Sequence, residues 1–238
     1  MSSMLMVVAT CVLAQPGAPL VHLTFDSVTP YVADVSGHNF HALLHGPPRP
    51  ADGPRAGTRA LALSEGTWLE LPEARLLLGE KCERGSLALW VRPDLNPAGL
   101  ATGTWEGWVM LVYLQKRSGN GLPDGYNEIG LALHGPQLRA KVVAGEDTGP
   151  FATVPCPLKQ GQWTHLAMTW TPERRCLYVD GRIAAESKGQ FQATALDDFP
   201  AEVGRHPSSG KWFLAGAVAD VRIYADALSE AEVAALAE

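Results

Sequence analysis

The sequence has no hydrophobic run long enough to cross a bilayer: the longest, Met4 to Leu13, covers about ten residues, half of what a spanning helix needs. It has no cluster of lysine and arginine either. Its 19 basic and 25 acidic residues are dispersed, for a net charge of −6, so nothing in it would track a phosphate backbone and nucleic acid is not an expected partner. Cysteine is scarce, four in 238 residues, and no Cys-x-x-Cys pair occurs, which leaves a thiolate zinc site without support. The common catalytic signatures are missing: no His-Glu-x-x-His, no Gly-x-Ser-x-Gly elbow, no phosphate loop. His22, His38, His41, His45, His134, His165 and His206 are scattered, and a lone histidine on a strand is more often sheet or surface than catalyst.

What is present begins with that apolar run. It is followed by Val12-Leu13-Ala14, a small-residue site of the A-x-A kind, and by Gln15-Pro16-Gly17. Residues 1–14 therefore read as a secretory signal and residues 15–238 as one domain, located outside the cytoplasm: secreted, periplasmic or at the cell surface. Met-Ser-Ser-Met ahead of the run carries no basic residue, and Val8-Ala9-Thr10-Cys11 leaves a lipoprotein cleavage box as an alternative. With Cys11 removed, Cys82, Cys156 and Cys176 remain, enough for at most one internal bridge.

From Leu20 to Tyr224 short runs of period two recur between Gly, Pro and Asn/Asp clusters, with no internal repeat. That rhythm predicts an all-β sandwich. The clearest pair of runs is Thr164 to Trp170 and Cys176 to Val179. In the first, Leu166, Met168 and Trp170 share one face and His165, Ala167 and Thr169 the other, so the first set is expected in a core. Asp180-Gly181 is a two-residue type I′ turn signal, because both positions need φ > 0, and it leads into Arg182 to Ser187. The aromatics of this stretch are expected to pack rather than bind. One helix is expected, at the tail, where Ser229-Glu230-Ala231-Glu232 fits a capping box ahead of an alanine-rich run. It would be short and peripheral.

Five segments in order, "LTFDSVTPYVADVSGHNFHALLHG", "RALALSEGTWLELP", "GSLALWVRPD", "PLKQGQWTHLAMTWTPERRCLYVDGRIAAES" and "FLAGAVADVRIYADALSEAEVAAL", resemble the successive signatures of the laminin-G-like family within the concanavalin-A-like lectin/glucanase superfamily. The resemblance runs from about Leu20 to Leu236. It implies a jelly-roll β-sandwich of two curved antiparallel sheets, with the first and last strands adjacent. It also implies a structural calcium ion tying the two ends together, with Asp26 and Asp220 as ligands and Asp34 and Asn39 as contributors from a nearby loop. The plain alternative is an Asx-type turn at Asp34 and a hydrogen-bonded strand residue at Asp220. In the resembled superfamily the strand corresponding to Ser86–Val91 lies beside the one corresponding to Thr164–Trp170. With Ala88 near Ala167, that register implies a Cys82–Cys176 bridge and a free Cys156, three reduced thiols being the alternative.

A retaining glycosidase of the resembled superfamily would carry an E-x-D-x-x-E or similar run, and none occurs. Two loops are long for a compact sandwich: Pro93 to Gly107, with Trp105, and Lys116 to Asn127, with Asn120, Asp124 and Tyr126. An aromatic ring stacks on the C–H face of a sugar while Asn and Asp bond its hydroxyls, so Trp105, Asn120, Asp124 and Tyr126 are the candidate ligand-binding residues. Alternatively Trp105 folds back on its own domain. The expected function is a secreted, non-catalytic carbohydrate-binding or adhesive module whose partner is a glycan or an extracellular protein. A diverged polysaccharide hydrolase or lyase and a purely structural or protein-interaction domain are the alternatives.

Overall fold

The computed structural model describes residues 17–103, 105–115, 127–144, 149–196, 198–207 and 209–238. The expected signal segment, 1–14, lies outside them. The first strands are β1 (Val21–Val28), β2 (Tyr31–Asp34), β3 (Ala42–His45), β4 (Pro50–Asp52), β5 (Arg59–Leu63) and β6 (Trp68–Glu73). A short helix α1 (Ala74–Leu78) leads to β7 (Lys81–Cys82) and β8 (Gly85–Pro93). Then come β9 (Trp108–Gln115), β10 (Glu128–His134), β11 (Gln137–Val143), β12 (Ala152–Pro155), β13 (Thr164–Trp170) and β14 (Arg174–Val179). The chain closes with β15 (Arg182–Lys188), β16 (Thr194–Ala195), β17 (Pro200–Val203), β18 (Gly216–Tyr224) and α2 (Glu230–Leu236).

The protein is mostly β, as its alternation predicts. All ladders are antiparallel, and one hydrogen-bonded path runs β12-β11-β10-β9-β17-β6-β3-β2-β1-β18-β8-β13-β14-β15, with β5 beside β18 and β4 beside β5. The two ends of the path, β12 and β15, lie next to each other, so the sheet is nearly closed. One core serves both halves: Leu111, Ile129, Leu131, Leu138 and Leu69 from one side meet Leu89, Leu166, Met168, Trp170, Leu177 and Val221 from the other. Burying each such side chain stabilises the fold by about 1.5–3 kcal/mol. The first and last strands pair, Val21 opposite Ile223, and Ala88 stands opposite Ala167.

The hairpin β14–β15 turns at Asp180 (φ 47°) and Gly181 (φ 73°), both left-handed as a type I′ turn demands. Glycine at 181 serves a second purpose, since a Cβ there would lie 3.0 Å from the Ala234 Cα of α2.

That contact marks where the expected peripheral helix differs. The capping box forms, with Ser229 and Glu232 bonding each other's backbone N–H groups, but α2 covers the outer face of the sheet. Leu228, Val233 and Leu236 pack on Ala88, Ala167, Cys176, Tyr178 and Tyr224, and the Ser86 hydroxyl donates to the Asp226 carbonyl while accepting from the Leu228 N–H. The paired alanines 88 and 167 leave room for the helix, so the face carrying Ala167 is buried as well.

The disulfide expectation does not hold: Cys82, Cys156 and Cys176 are all free thiols. Strand alternation is the reason. Cys176 stands opposite Thr169 and packs on the outer face under α2, whereas Cys82 pairs with Thr194 and packs in the main core. Residues 83 and 84 separate β7 from β8, so Cys82 pairs with β16 and does not extend the β8–β13 ladder.

Among the described residues no helix is long and apolar enough to cross a membrane.

Candidate functional site

The candidate site lies on the face of the β12-to-β3 half that points away from the core. In β10 and β11 strict alternation sends Ile129, Leu131, Leu133, Leu138, Ala140 and Val142 inward. Glu128, Gly130, Ala132, His134, Arg139 and Lys141 are left on the opposite face. In β9 the alternation breaks. Leu131 pairs with Val112 but Ala132 pairs with Met110, so Leu111 is the extra residue of a bulge. Leu111 and Val112 both point into the core. Trp108 and Tyr113, five positions apart and therefore on opposite faces of a regular strand, are thereby brought to one face. Glu202 of β17 stands opposite both Tyr113 and Glu70, and Trp68 opposite His45, which extends the face across β17, β6 and β3.

Three groups of side chains occupy this face. At one end Trp108 stacks on His134 (ring centroids 4.3 Å apart, planes within 21°) and lies 6.2 Å from Trp212. The Arg139 guanidinium and the Lys141 ammonium stand 5.2 and 5.4 Å from the centre of the same indole. Trp212 has φ 60°, a conformation L-residues avoid, and its carbonyl accepts the Met110 N–H at 2.9 Å, which holds the ring against β9.

In the middle the Tyr113 hydroxyl donates to Glu128 (2.5 Å), whose same oxygen accepts from Lys141 (2.7 Å). Burial, and then the charge of Glu128, push the Tyr113 phenol well above its ordinary value, so it stays a neutral donor. Gly130 makes this possible: a Cβ there would sit 2.5 Å from the Tyr113 ring. His206 lies 5.1 Å from that ring, edge-on to Trp212, and burial lowers its pKa to about 4.

At the far end Glu202, only 1% exposed, accepts two N–H bonds from Arg205, whose guanidinium covers one side of Trp68 at 3.8 Å. His45 stacks on Trp68 at 4.3 Å and bonds Glu70 at 2.9 Å. Burial raises the Glu202 pKa even though Arg205 opposes the shift. Among the described residues three buried polar atoms on this face have no hydrogen-bond partner: Trp68 Nε1, Gln115 Oε1 and Arg139 Nε. Each such group costs about 1–3 kcal/mol when it stays unsatisfied.

None of the residues singled out from sequence contributes a described side chain to these three groups. Trp105 begins a 3-10 turn (Trp105–Gly107) next to β9, and its side chain, like Asn120, Asp124 and Tyr126, lies outside the described residues. Asp34 accepts the N–H groups of His22, Ser36 and Phe40 and the Ser36 hydroxyl, which is the Asx-type turn. Asp220 accepts from His22 (2.7 Å) and from Arg222 (2.8 and 3.1 Å). Burial alone would raise its pKa, but these donors outweigh burial and hold it at about 2. Asp26 is exposed and accepts the Thr24 hydroxyl, and Asn39 is an exposed turn residue at φ 61°.

A calcium ion needs six to eight oxygens free to face it. The oxygens of Asp34 and Asp220 already accept hydrogen bonds, and Asp220 has a guanidinium beside it, so these two carboxylates are not free to face an ion. Among the described residues no group of three or more His, Cys, Asp or Glu side chains is placed to hold a metal ion.

The sequence reading missed the face itself. Alternation in Glu128–His134 and Gln137–Lys141 was legible and marks their shared side. The bulge at Leu111 and the arrival of Glu202 beside Tyr113 have no local signature.

The family described as the concanavalin A-like lectin/glucanases superfamily matches residues 63–234. No curated protein matches the sequence. Among solved structures, domain 4 of AbnA, a GH43 extracellular arabinanase from Geobacillus stearothermophilus in complex with arabinotriose, superposes with a TM-score of 0.65 at 21% identity. The match covers 94% of this chain and 100% of that one. The binding domain of botulinum neurotoxin serotype G gives 0.67 at 12% identity, over 92% of this chain and 50% of that one. Trypanosoma rangeli sialidase in complex with 2,3-difluorosialic acid gives 0.65 at 17%, over 92% and 33%. The chain thus spans the whole of the first, half of the second and a third of the last; at these identities the likeness is one of fold.

Proposed function

The chain belongs to the concanavalin A-like lectin/glucanase superfamily, and from that premise we propose that it is a non-catalytic glycan-binding module acting outside the cytoplasm, its nearly closed sheet being the superfamily's jelly-roll sandwich. The observation that carries the reading is the half-exposed Trp108–His134 stack with Trp212 beside it, set on a sheet face among buried polar atoms that lack partners. Aromatic rings offer apolar faces to sugar C–H groups, and Gln115, Tyr113, Glu128 and Lys141 supply donors and acceptors for hydroxyls. A strand-borne site of this kind is held by the ladders beneath it. Likeness to an arabinanase domain in complex with arabinotriose supports the choice of a glycan.

A hydrolase is the second reading, because two nearly buried carboxylates, Glu128 and Glu202, share this face and a general acid needs a raised pKa such as that of Glu202. We place it second: Arg205 bonds both Glu202 oxygens and opposes protonation, and Glu128 is committed to Tyr113 and Lys141.

Affinity gel electrophoresis against a panel of polysaccharides, run with a reducing-sugar assay, tests the proposal. The expected result is retardation by at least one glycan with no sugar release. Trp108→Ala should weaken binding by about 1–3 kcal/mol, the cost of truncating an aromatic anchor at a hot spot. Retardation by none of the panel refutes it, and sugar release abolished by Glu202→Gln replaces it with the hydrolase.

A further inference from the structure

Resting on the glycan-binding reading, we propose that the Trp108 end of this face selects acidic glycans, with Arg139 and Lys141 receiving a sugar carboxylate while the sugar ring lies against the aromatic stack. Among the described residues three lysine or arginine side chains stand on the face, and two of them have carboxylate partners: Lys141 has Glu128, and Arg205 has Glu202. Arg139 has no ion pair among the described residues. One of its terminal nitrogens donates to the Gln137 amide oxygen at 3.1 Å, and its Nε is buried without a partner.

The charges on the face are therefore unevenly placed. Among the described residues the far end carries Glu70 and Glu202 against Arg205, and the Trp108 end carries Arg139 and Lys141 against Glu128. In a chain of net charge −6 this is a local excess of positive charge. Arg139 and Lys141 also flank one indole, at 5.2 and 5.4 Å from its centre. Their charges are thus separated by no more than about the 10 Å over which salt leaves such charges interacting. An anion beside that ring is attracted by both and relieves their mutual repulsion. The planar guanidinium matches a carboxylate with two parallel N–H bonds, which a lone ammonium does not. A uronic acid residue of a polysaccharide has that carboxylate next to a ring face able to stack, which is the pairing this end of the face presents.

Binding of the full chain should be measured against polygalacturonate, its methyl ester, dextran sulfate and neutral dextran, at fixed ionic strength. Polygalacturonate is expected to bind at least tenfold more tightly than its methyl ester. Arg139→Gln should erase that preference with an unchanged circular dichroism spectrum, and Arg182→Gln, on the exposed edge strand β15, should leave it intact. Equal binding of acid and ester overturns the proposal, as does equal loss from the two arginine variants, which would mean non-specific charge attraction. Arg139-dependent preference for dextran sulfate over polygalacturonate overturns the carboxylate assignment in favour of sulfate. Tight binding of neutral dextran alone sinks this inference while glycan binding stands; no binding to these four or to the wider panel sinks both.

Discussion

Lowering the pH from 7 to 5 should cost this protein up to about 4 kcal/mol of folding stability, carried by two buried histidines on opposite halves of the sheet. His165 is 2% exposed beneath the β4–β5 loop and faces Asp220, Arg55 and Arg222; His206 is 8% exposed against Tyr113 and Trp212 and faces Glu128, Lys141 and Arg205. Burial lowers both from the ordinary 6.5 to about 4. Between those values the unfolded chain binds protons that the folded chain refuses, so stability rises with pH and is lost as pH falls from about 6.5 toward 4. At pH 5 each histidine then accounts for about 2 kcal/mol.

Glu202 works in the opposite sense, since its folded pKa is raised and it gains a proton more readily when folded. Asp34 and Asp220 have lowered values and act only below the ordinary carboxylate range. Urea unfolding at pH 7 and pH 5 is the assay. With a slope of about 3 kcal/mol per molar for a chain of this size, the midpoint should fall by about 1 M. His165→Gln and His206→Gln should each remove about half of the pH dependence, whatever they do to stability at pH 7. A midpoint unchanged between the two pH values, or a pH dependence left whole in both variants, refutes the reasoning.

Gly130→Ala should destabilise by about 1–3 kcal/mol, because its Cβ meets the Tyr113 ring at 2.5 Å and the Val112 carbonyl at 2.6 Å, and it should weaken glycan binding by displacing that ring; thermal melting and gel retardation read the two effects. Ser229→Ala removes the capping box of α2 and should cost about 1 kcal/mol by urea unfolding, with no loss of glycan affinity. EDTA and millimolar calcium should leave the melting temperature unchanged, since Asp220 and Asp34 are occupied by N–H and O–H donors; a calcium-dependent rise would mean these side chains rearrange around an ion. Thiol titration of the unreduced, denatured chain should find Cys82, Cys156 and Cys176 all reactive, and a bridged peptide in mass spectrometry would contradict it.

The alternation of apolar residues by itself determined that this protein is mostly β. It also determined that Leu166, Met168 and Trp170 face the core and that the chain turns at Asp180-Gly181, because side-chain direction in a strand and the sign of φ in a two-residue turn are local properties. The capping box was local for the same reason: its partners are three residues apart.

The docking of α2 was not legible. It depends on two alanines, 88 and 167, meeting across β8 and β13, and neither announces a partner in its own neighbourhood. The cysteines show the same limit, since the register that sets Ala88 against Ala167 was anticipated while the chain's departure from it before Gly85 was not. The candidate site is the clearest case. Glu202 reaches Tyr113 from 89 positions away along the chain, and Trp108 joins Tyr113 on one face only because Leu111 bulges. A bulge is a compromise between packing on two neighbouring strands, and a ladder between distant segments exists only once the sheet has closed, so tertiary structure alone decided which side chains share that face.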